Sequence, residues 1–149
     1  MREIVFALRF TGTAGPVPGD DRRRRARTAA PSQMLRTVLG AAGIDATMQP
    51  VTGDSAVLES RVERFGDGTF VEDGTITYGR AGTVTFVTLG RGSVGPAPRE
   101  GWVVGGVTWR ITGGTGALAG AQGLITSNFT VSAAGEVVDD HVTRLYLPS

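Results

Sequence analysis

The sequence predicts an all-β fold: one small, closed, antiparallel β-barrel of about eight strands that spans residues 1–149. Short runs rich in β-branched and aromatic residues follow one another from residue 55 to residue 147. Turn residues separate these runs, and the tightest turns, at residues 65–69 and 133–136, carry the glycines that a hairpin needs. The chain holds 23 glycines, which suit the bends of a barrel. A glycine-rich β-sandwich would show the same pattern and is the alternative architecture.

The N-terminal region is predicted to hold one strand followed by a mobile loop. Residues 2–10 are rich in strand formers and end at a run of turn residues. Residues 15–31 carry the arginine run from Arg22 to Arg25, in which like charges repel and little surface can be buried. Such a run could bind phosphate or an anionic surface, because guanidinium groups pair bidentately with oxyanions. A solvated loop, with acidic residues just before the run, explains it as well and is the simpler interpretation.

A short helix is predicted near residues 32–40. Leu35, Val38 and Leu39 lie at helical spacing after Ser32, a good N-cap residue, and glycine follows them. The β-branched character of Thr37 and Val38 leaves a strand over residues 29–39 as the alternative.

The rest of the chain is predicted to supply the remaining strands. One further strand is expected near residues 45–51. Six others are expected at residues 55–65, 69–78, 82–89, 102–111, 124–131 and 136–147. Neighbouring runs joined by tight hairpins must be antiparallel, and about seven or eight such strands close a small barrel around one ligand.

The composition excludes several classes of chemistry. All 15 basic residues are arginine, so Schiff-base catalysis and a phosphate loop that needs lysine are excluded. The absence of cysteine excludes thiolate nucleophiles, thiolate metal sites and disulfides. Because His141 is the only histidine, a transition-metal site built on two or three imidazoles is excluded too, and no metal site is predicted.

The charge and hydropathy of the chain bear on its partners and location. A formal net charge of +1 is far from the basic balance of a nucleic-acid-binding domain, so nucleic acid is not an expected partner. No run approaches the roughly 20 apolar residues of a membrane span, and the N-terminus lacks the pattern of a signal peptide. We therefore expect a cytoplasmic protein with no membrane partner.

One late segment carries a resemblance to known families. It reads Gly113-Gly114-Thr115-Gly116, then Leu118, Gly120, Ala121 and Gly123. This pattern resembles the motif that plant allene oxide cyclases and dirigent proteins carry between two late barrel strands. The last predicted strand, which ends in Leu-Tyr-Leu-Pro, looks like that of bacterial relatives of those calycin-like barrels. The resemblance covers roughly residues 55 to 147 and marks the fold, because its glycines let the chain reverse while Leu118 plugs the barrel end.

The resemblance implies a function class but assigns no catalytic residue. It implies a cofactor-independent cyclase or isomerase that folds a flexible, largely apolar molecule, such as a polyketide or oxylipin-like intermediate. No metal or nucleotide would be needed, and the association common among related barrels implies a homo-oligomer. A dinucleotide or phosphate cradle at residues 113–116 is disfavoured, because a strand follows and the chain has no lysine.

Strand alternation selects two candidate acid or base residues on the strand at residues 69–78. Its more apolar face holds Phe70, Glu72, Ile76 and Tyr78, so Glu72 and Tyr78 are expected to point into the barrel. A carboxyl group in an apolar barrel has a raised pKa that suits acid–base catalysis, and a phenol can donate a hydrogen bond to a carbonyl oxygen. The alternative places Glu72 in solvent and Tyr78 at the rim.

The last strand offers a second candidate pair. If Val137, Asp139, His141 and Thr143 face inward, Asp139 and His141 lie two residues apart on one face, where a carboxylate could tune the imidazole. The other face, with Asp140, Arg144 and Tyr146, is the open alternative. A serine nucleophile is disfavoured because no nucleophile-elbow motif is present.

Aromatic residues on the predicted inner faces are the candidate walls of a binding site. Trp109 would provide a broad flat surface for a planar or polyene ligand, although core packing explains it as well. The residues expected to bind substrate are Trp109, Phe70, Phe86, Ser127 and Phe129. Arg110 and Asn128 are expected to point outward.

Two functions without catalysis compete with the cyclase hypothesis. A lipocalin-like carrier would use the same pocket to shelter an apolar ligand. A dirigent-type steering protein would guide another enzyme's reactive product. Inward ionisable groups favour an enzyme, whereas a wholly apolar lining favours a carrier.

Overall fold

The computed structural model describes residues 1–149 and contains eleven β-strands and no α-helix. Two short 3-10 turns are the other regular elements, and no helix is long and apolar enough to cross a membrane. In chain order the strands are β1 (Arg2–Val17), β2 (Asp20–Ala30), β3 (Gln33–Gly40), β4 (Gly43–Pro50), β5 (Ala56–Arg64), β6 (Thr69–Tyr78), β7 (Thr83–Thr88), β8 (Gly92–Pro96), β9 (Trp102–Gly114), β10 (Gln122–Ser132) and β11 (Glu136–Leu147).

Nine of these strands close into one antiparallel barrel. Its order is β1, β2, β5, β6, then β7 together with β8, then β9, β10 and β11, which pairs with β1 again. Strands β7 and β8 share one position, because both pair with β6 on one side and with β9 on the other. The barrel thus has eight positions, which confirms the predicted closed antiparallel barrel.

The glycine-rich segment after β9 closes one end of the barrel. Its 3-10 turn, Gly116–Leu118, buries Leu118 in the hydrophobic core. Gly114 tolerates no side chain, since a Cβ there would lie 2.1 Å from the carbonyl oxygen of Leu118. Gly116 has a φ of +60°, which favours glycine. We call this the closed end; the predicted role of Leu118 as its plug agrees with the structure.

The arginine-rich segment is strand β2, so the predicted mobile loop at residues 15–31 is wrong. A tight turn at Gly19 joins β1 to β2, and β2 then pairs with both β1 and β5. Alternation places Ala26, Thr28 and Ala30 on the inner face and sends the charged residues between them outward. Long arginine side chains can leave the outer face of a strand and reach water, so repulsion between successive arginines does not prevent pairing.

The predicted helix near residues 32–40 is also wrong, and the alternative of a strand is closer to the structure. Residues Gln33–Gly40 form β3, which pairs only with β4 in a separate two-stranded hairpin. The further strand expected near residues 45–51 corresponds to β4, which lies outside the barrel. The side chain of Gln33 ties the hairpin to β1, with hydrogen bonds of 2.9 Å to the backbone N–H and the carbonyl oxygen of Arg9. Strand β8 was not predicted, because five residues of which two are glycine and one is proline carry little strand pattern.

The interior of the barrel is divided into two halves. Toward the closed end the inner side chains pack into a solid core, in which the rings of Phe86 and Trp109 stack with centroids 4.2 Å apart. We call this region the closed half; its fully buried members include Phe10, Ile76, Val84, Phe86, Trp109 and Ile125. Toward the other end the barrel is hollow.

Candidate functional site

A cavity of about 520 Å³ occupies the hollow half of the barrel. It opens at the end where four hairpins turn, those joining β1 to β2, β5 to β6, β8 to β9 and β10 to β11. Its volume lies within the range of small-molecule sites. Twelve of the twenty residues that line it are hydrophobic, so the cavity favours a largely apolar occupant. The apolar walls include Leu58, Val62, Phe70, Val94, Trp102, Phe129 and Val137.

Glu72 is the polar centre of one wall. Strand alternation puts its side chain on the inner face of β6, as the sequence predicts, and it lines the cavity. The hydroxyl of Ser60, on neighbouring β5, lies 2.6 Å from Glu72 Oε2. The pKa of Glu72 is raised to about 8, mainly by burial and also by the negative charges of Asp139 and Asp73, against the lowering effect of the Ser60 hydrogen bond. At neutral pH the carboxyl is therefore mainly protonated and can donate a hydrogen bond into the cavity.

Asp139 faces the same cavity from β11. The structure selects the first of the two alternative faces of this strand, because Val137, Asp139, His141 and Thr143 are all buried. Asp139 Oδ1 accepts a hydrogen bond of 2.5 Å from the hydroxyl of Ser127. Asp139 Oδ2 lies 2.8 Å from His141 Nε2. The two contacts hold the carboxylate in one orientation at the edge of the cavity.

His141 lies behind Asp139 and does not line the cavity. A carboxylate can only accept, so a neutral His141 carries its proton on Nε2 and leaves Nδ1 as a bare acceptor. Nδ1 is buried and has no hydrogen-bond partner. The imidazole packs against Phe10, with ring centroids 4.4 Å apart, and meets Trp109 edge to face. His141 is therefore connected to the cavity only through its contact with Asp139.

Tyr78, the third predicted acid–base residue, lies far from the other two. It is six residues beyond Glu72 along β6, which is about 20 Å at roughly 3.3 Å per residue. Its ring meets Phe6 edge to face near the closed end. Burial raises the pKa of Tyr78 to about 12. The predicted inward orientation is right, but the structure does not bring Tyr78 together with Glu72 and His141.

The predicted substrate-binding residues divide between the two halves. Phe70 and Phe129 line the cavity, and their rings meet edge to face with centroids 5.8 Å apart. Trp109 and Phe86 lie in the packed core instead, where no ligand reaches them without repacking. Ser127 is buried beneath the cavity, where its hydroxyl donates a hydrogen bond to Asp139. Arg110 and Asn128 are exposed, as predicted.

Several cavity residues come from segments whose structure the sequence did not predict correctly. Arg24 and Thr28 lie on β2, and Val94 lies on β8. The hydroxyl of Thr28 is buried and has no hydrogen-bond partner. The alternation of Arg24, Ala26, Thr28 and Ala30 between outward arginines is the pattern that indicates this inner face.

Comparison of the chain with protein-family models, with curated proteins and with solved structures finds no match in any of the three. Any functional assignment therefore depends on the geometry of the cavity and its polar groups.

Proposed function

We propose that this barrel is a cofactor-independent cyclase or isomerase that binds a flexible, largely apolar molecule in its cavity and promotes intramolecular ring formation. The observation that carries the proposal is the pair of carboxyl groups on one cavity. Glu72 is mainly protonated at neutral pH, while Asp139 is held by two hydrogen-bond contacts. A buried carboxyl with a raised pKa that shares an apolar cavity with a second, hydrogen-bonded carboxyl is typical of acid–base sites.

The cavity walls would do the first part of the work. Phe70, Phe129, Val62 and Leu58 surround the space with apolar surface, so a flexible chain is driven to fold within it. Holding two reacting groups of one molecule in contact can supply roughly 7 to 11 kcal/mol of the barrier. Ring formation of this kind rearranges bonds within one molecule, so no atom is gained or lost and no co-reactant is needed.

Glu72 would then polarise the substrate. Its protonated carboxyl donates a hydrogen bond to a carbonyl oxygen and stabilises the negative charge that develops there in the transition state. The contact with Ser60 fixes the orientation of the carboxyl. Asp139 provides a hydrogen-bond acceptor, and its neighbour His141 keeps that carboxylate in place. The buried hydroxyl of Thr28 adds a further polar contact.

The resemblance of the segment at residues 113–123 to allene oxide cyclases and dirigent proteins agrees with this proposal but does not carry it. A non-catalytic carrier is the second candidate function, and one observation favours it. The cavity is open at one end and mainly apolar, as in a barrel that only shelters its ligand.

An isomer-conversion assay separates the two functions. The protein is incubated with a panel of linear polyenes and polyketide-type carbonyl compounds, and products are sought that have the substrate's mass but a different retention time. We expect conversion by the native protein and a loss of about a hundredfold in rate for Glu72→Gln, the usual contribution of a general acid. The variant should still bind the compound.

Glu63→Gln is the matched control, because Glu63 lies on the outer face of neighbouring β5. It should retain the native rate. Saturable binding of a compound without any acceleration over buffer would identify a carrier. Equal rates of conversion by the native protein and by Glu72→Gln would show that the carboxyl group of Glu72 is not required for the reaction.

A further inference from the structure

Two arginines at the mouth of the cavity have no acidic partner. Arg24 on β2 and Arg64 on β5 both line the cavity. Arg24 pairs with Val62 in the sheet register, and Arg64 follows Val62 two residues later on the same face. The two guanidinium groups therefore project into the same opening from neighbouring strands.

Three of the five other arginines of these two strands have a carboxylate partner, whereas the exposed Arg22 and Arg25 have none but do not line the cavity. Arg23, Arg27 and Arg61 point outward, and each has a carboxylate partner: Asp20 at 3.6 Å, Glu59 at 2.8 Å and Asp73 at 2.9 Å. No carboxylate lies within 4.0 Å of Arg24 or Arg64. The nearest acidic lining residues, Glu72 and Asp139, already have hydrogen-bond partners of their own.

The arrangement of Arg24 and Arg64 is electrostatically unfavourable in the empty cavity. Partial burial lowers the pKa of Arg24, and the positive charge of Arg64 lowers it further. Two like charges at a half-buried mouth repel each other, and a bound anion would relieve that repulsion. Guanidinium groups suit this role, because their planar donors match the oxygens of a carboxylate, sulfonate or phosphate.

We propose that Arg24 and Arg64 bind an oxyanion on the ligand whose apolar body fills the cavity. This inference rests on the proposed function, since it names the class of molecule that the same cavity takes: an amphipathic anion with one charged end. The anion lies at the mouth, and the apolar part extends inward past Phe70 and Phe129.

The register also relates the anion site to Glu72. Arg24, Val62 and Glu72 lie in one row across three neighbouring strands. Neighbouring strands are about 4.8 Å apart, so the backbones at Arg24 and Glu72 are separated by roughly 10 Å. A ligand held by its anion at the mouth would therefore present to Glu72 an atom several bonds away from the charged group.

A matched pair of fluorescent probes tests the proposal on the full-length protein. Anilinonaphthalene sulfonate carries an anion, and phenylnaphthylamine has the same ring system without it. We expect both to bind, the sulfonate more tightly and with an affinity that falls as salt is added. Arg24→Gln and Arg64→Gln should each weaken sulfonate binding by about tenfold or more, the loss expected for a charge-assisted hydrogen bond. Binding of the neutral probe should stay unchanged, which also shows that the variants are folded.

Arg25→Gln is the control, because Arg25 lies next to Arg24 but points outward and has no carboxylate partner. It makes the same change in net charge and should leave the affinity for both probes unchanged. Displacement of the neutral probe by decanol, decanoate and decyl phosphate then distinguishes the preferred oxyanion.

Three results would overturn the inference in different ways. Equal affinity for both probes would show that the mouth does not recognise an anion. An effect of Arg25→Gln as large as that of Arg24→Gln would mean that only the overall charge matters. Binding of neither probe would contradict the proposed cavity site itself and the inference with it.

Discussion

The closed half and the hollow half of the barrel are built from the same strands, yet one is solid and the other empty. The difference is the size of the inward residues. On β1 the inner face runs from Phe6 and Phe10 in the closed half to Ala14 at the cavity, and on β9 it runs from Trp109 to Val103. A barrel of fixed circumference is filled where its inner residues are large and hollow where they are small.

Polar groups follow the same division. In the hollow half, Glu72 and Asp139 have hydrogen-bond partners and face the cavity. In the closed half, the buried hydroxyl of Tyr78 and the indole N–H of Trp109 make no well-aligned hydrogen bond, although the hydroxyl of Thr143 lies close to Tyr78. The closed half therefore supplies the packed core, and the proposed function assigns the chemistry to the hollow half. Four experiments test this distinction.

The largest expected effect is the loss of stability when the stacked tryptophan of the closed half is truncated. Trp109→Ala should lower the free energy of unfolding by about 3–5 kcal/mol, because the ring is fully buried and stacks on Phe86. Phe129→Ala should cost about half of that or less, since Phe129 is half-buried and already borders empty space. Urea denaturation followed by circular dichroism measures both. Equal losses would contradict the division.

The pH dependence of stability should reveal Glu72. Its pKa of about 8 in the folded chain lies above the 4.5 of a free side chain. A carboxyl with a raised folded-state pKa stabilises the fold most fully below the unfolded pKa, and this contribution is lost as the pH rises through the folded pKa. The free energy of unfolding should therefore fall for the native protein, relative to Glu72→Gln, between about pH 5 and pH 8. Urea titrations at several pH values measure the difference, with Glu63→Gln expected to run parallel to the native protein. If the stability of Glu72→Gln instead changed with pH in parallel with that of the native protein, the pKa of Glu72 would be that of an ordinary carboxyl group.

A smaller effect is expected when one alanine on each side of the division is enlarged. Ala30 is buried in the closed half, whereas Ala26 lies on the same face of β2 and lines the cavity. Ala30→Leu should cost about 1–3 kcal/mol through overpacking. Ala26→Leu should leave stability nearly unchanged and weaken binding of phenylnaphthylamine, because the new side chain occupies the cavity. A stability loss at Ala26 that matches the loss at Ala30 would show that the hollow half closes up in solution.

Tyr78→Phe should have the smallest effect. The substitution keeps the ring and removes a buried hydroxyl whose contact with the hydroxyl of Thr143 is not a well-aligned hydrogen bond, so stability should change by less than about 1 kcal/mol. Isomer conversion and probe binding should be unaffected. A large loss of conversion would restore Tyr78 as a catalytic candidate and require a route from the cavity to the closed end.

The late strands were predictable because their pattern is local. Alternation along β6, β9 and β10 correctly assigned the inward residues, including Glu72, Trp109 and Ser127. The face of β11 remained open, since both of its faces carry apolar and polar residues, and burial of His141 in the structure selects one. The wrong assignments lie in the first third of the chain, where successive arginines hid the pattern of β2 and helical spacing hid that of β3. The later strand β8 was missed because its glycines and proline carry little strand pattern.

The sequence by itself determined the strand class, the hairpin turns and which side chains point inward, because strand alternation and turn chemistry act over a few neighbouring residues. Only the tertiary structure decided which inward residues share a space. Glu72 and Asp139 meet at one cavity although they lie on different strands, whereas Tyr78, on the same strand face as Glu72, lies at the other end. The register and stagger of strands in a closed barrel depend on all neighbours at once, and no local pattern specifies them.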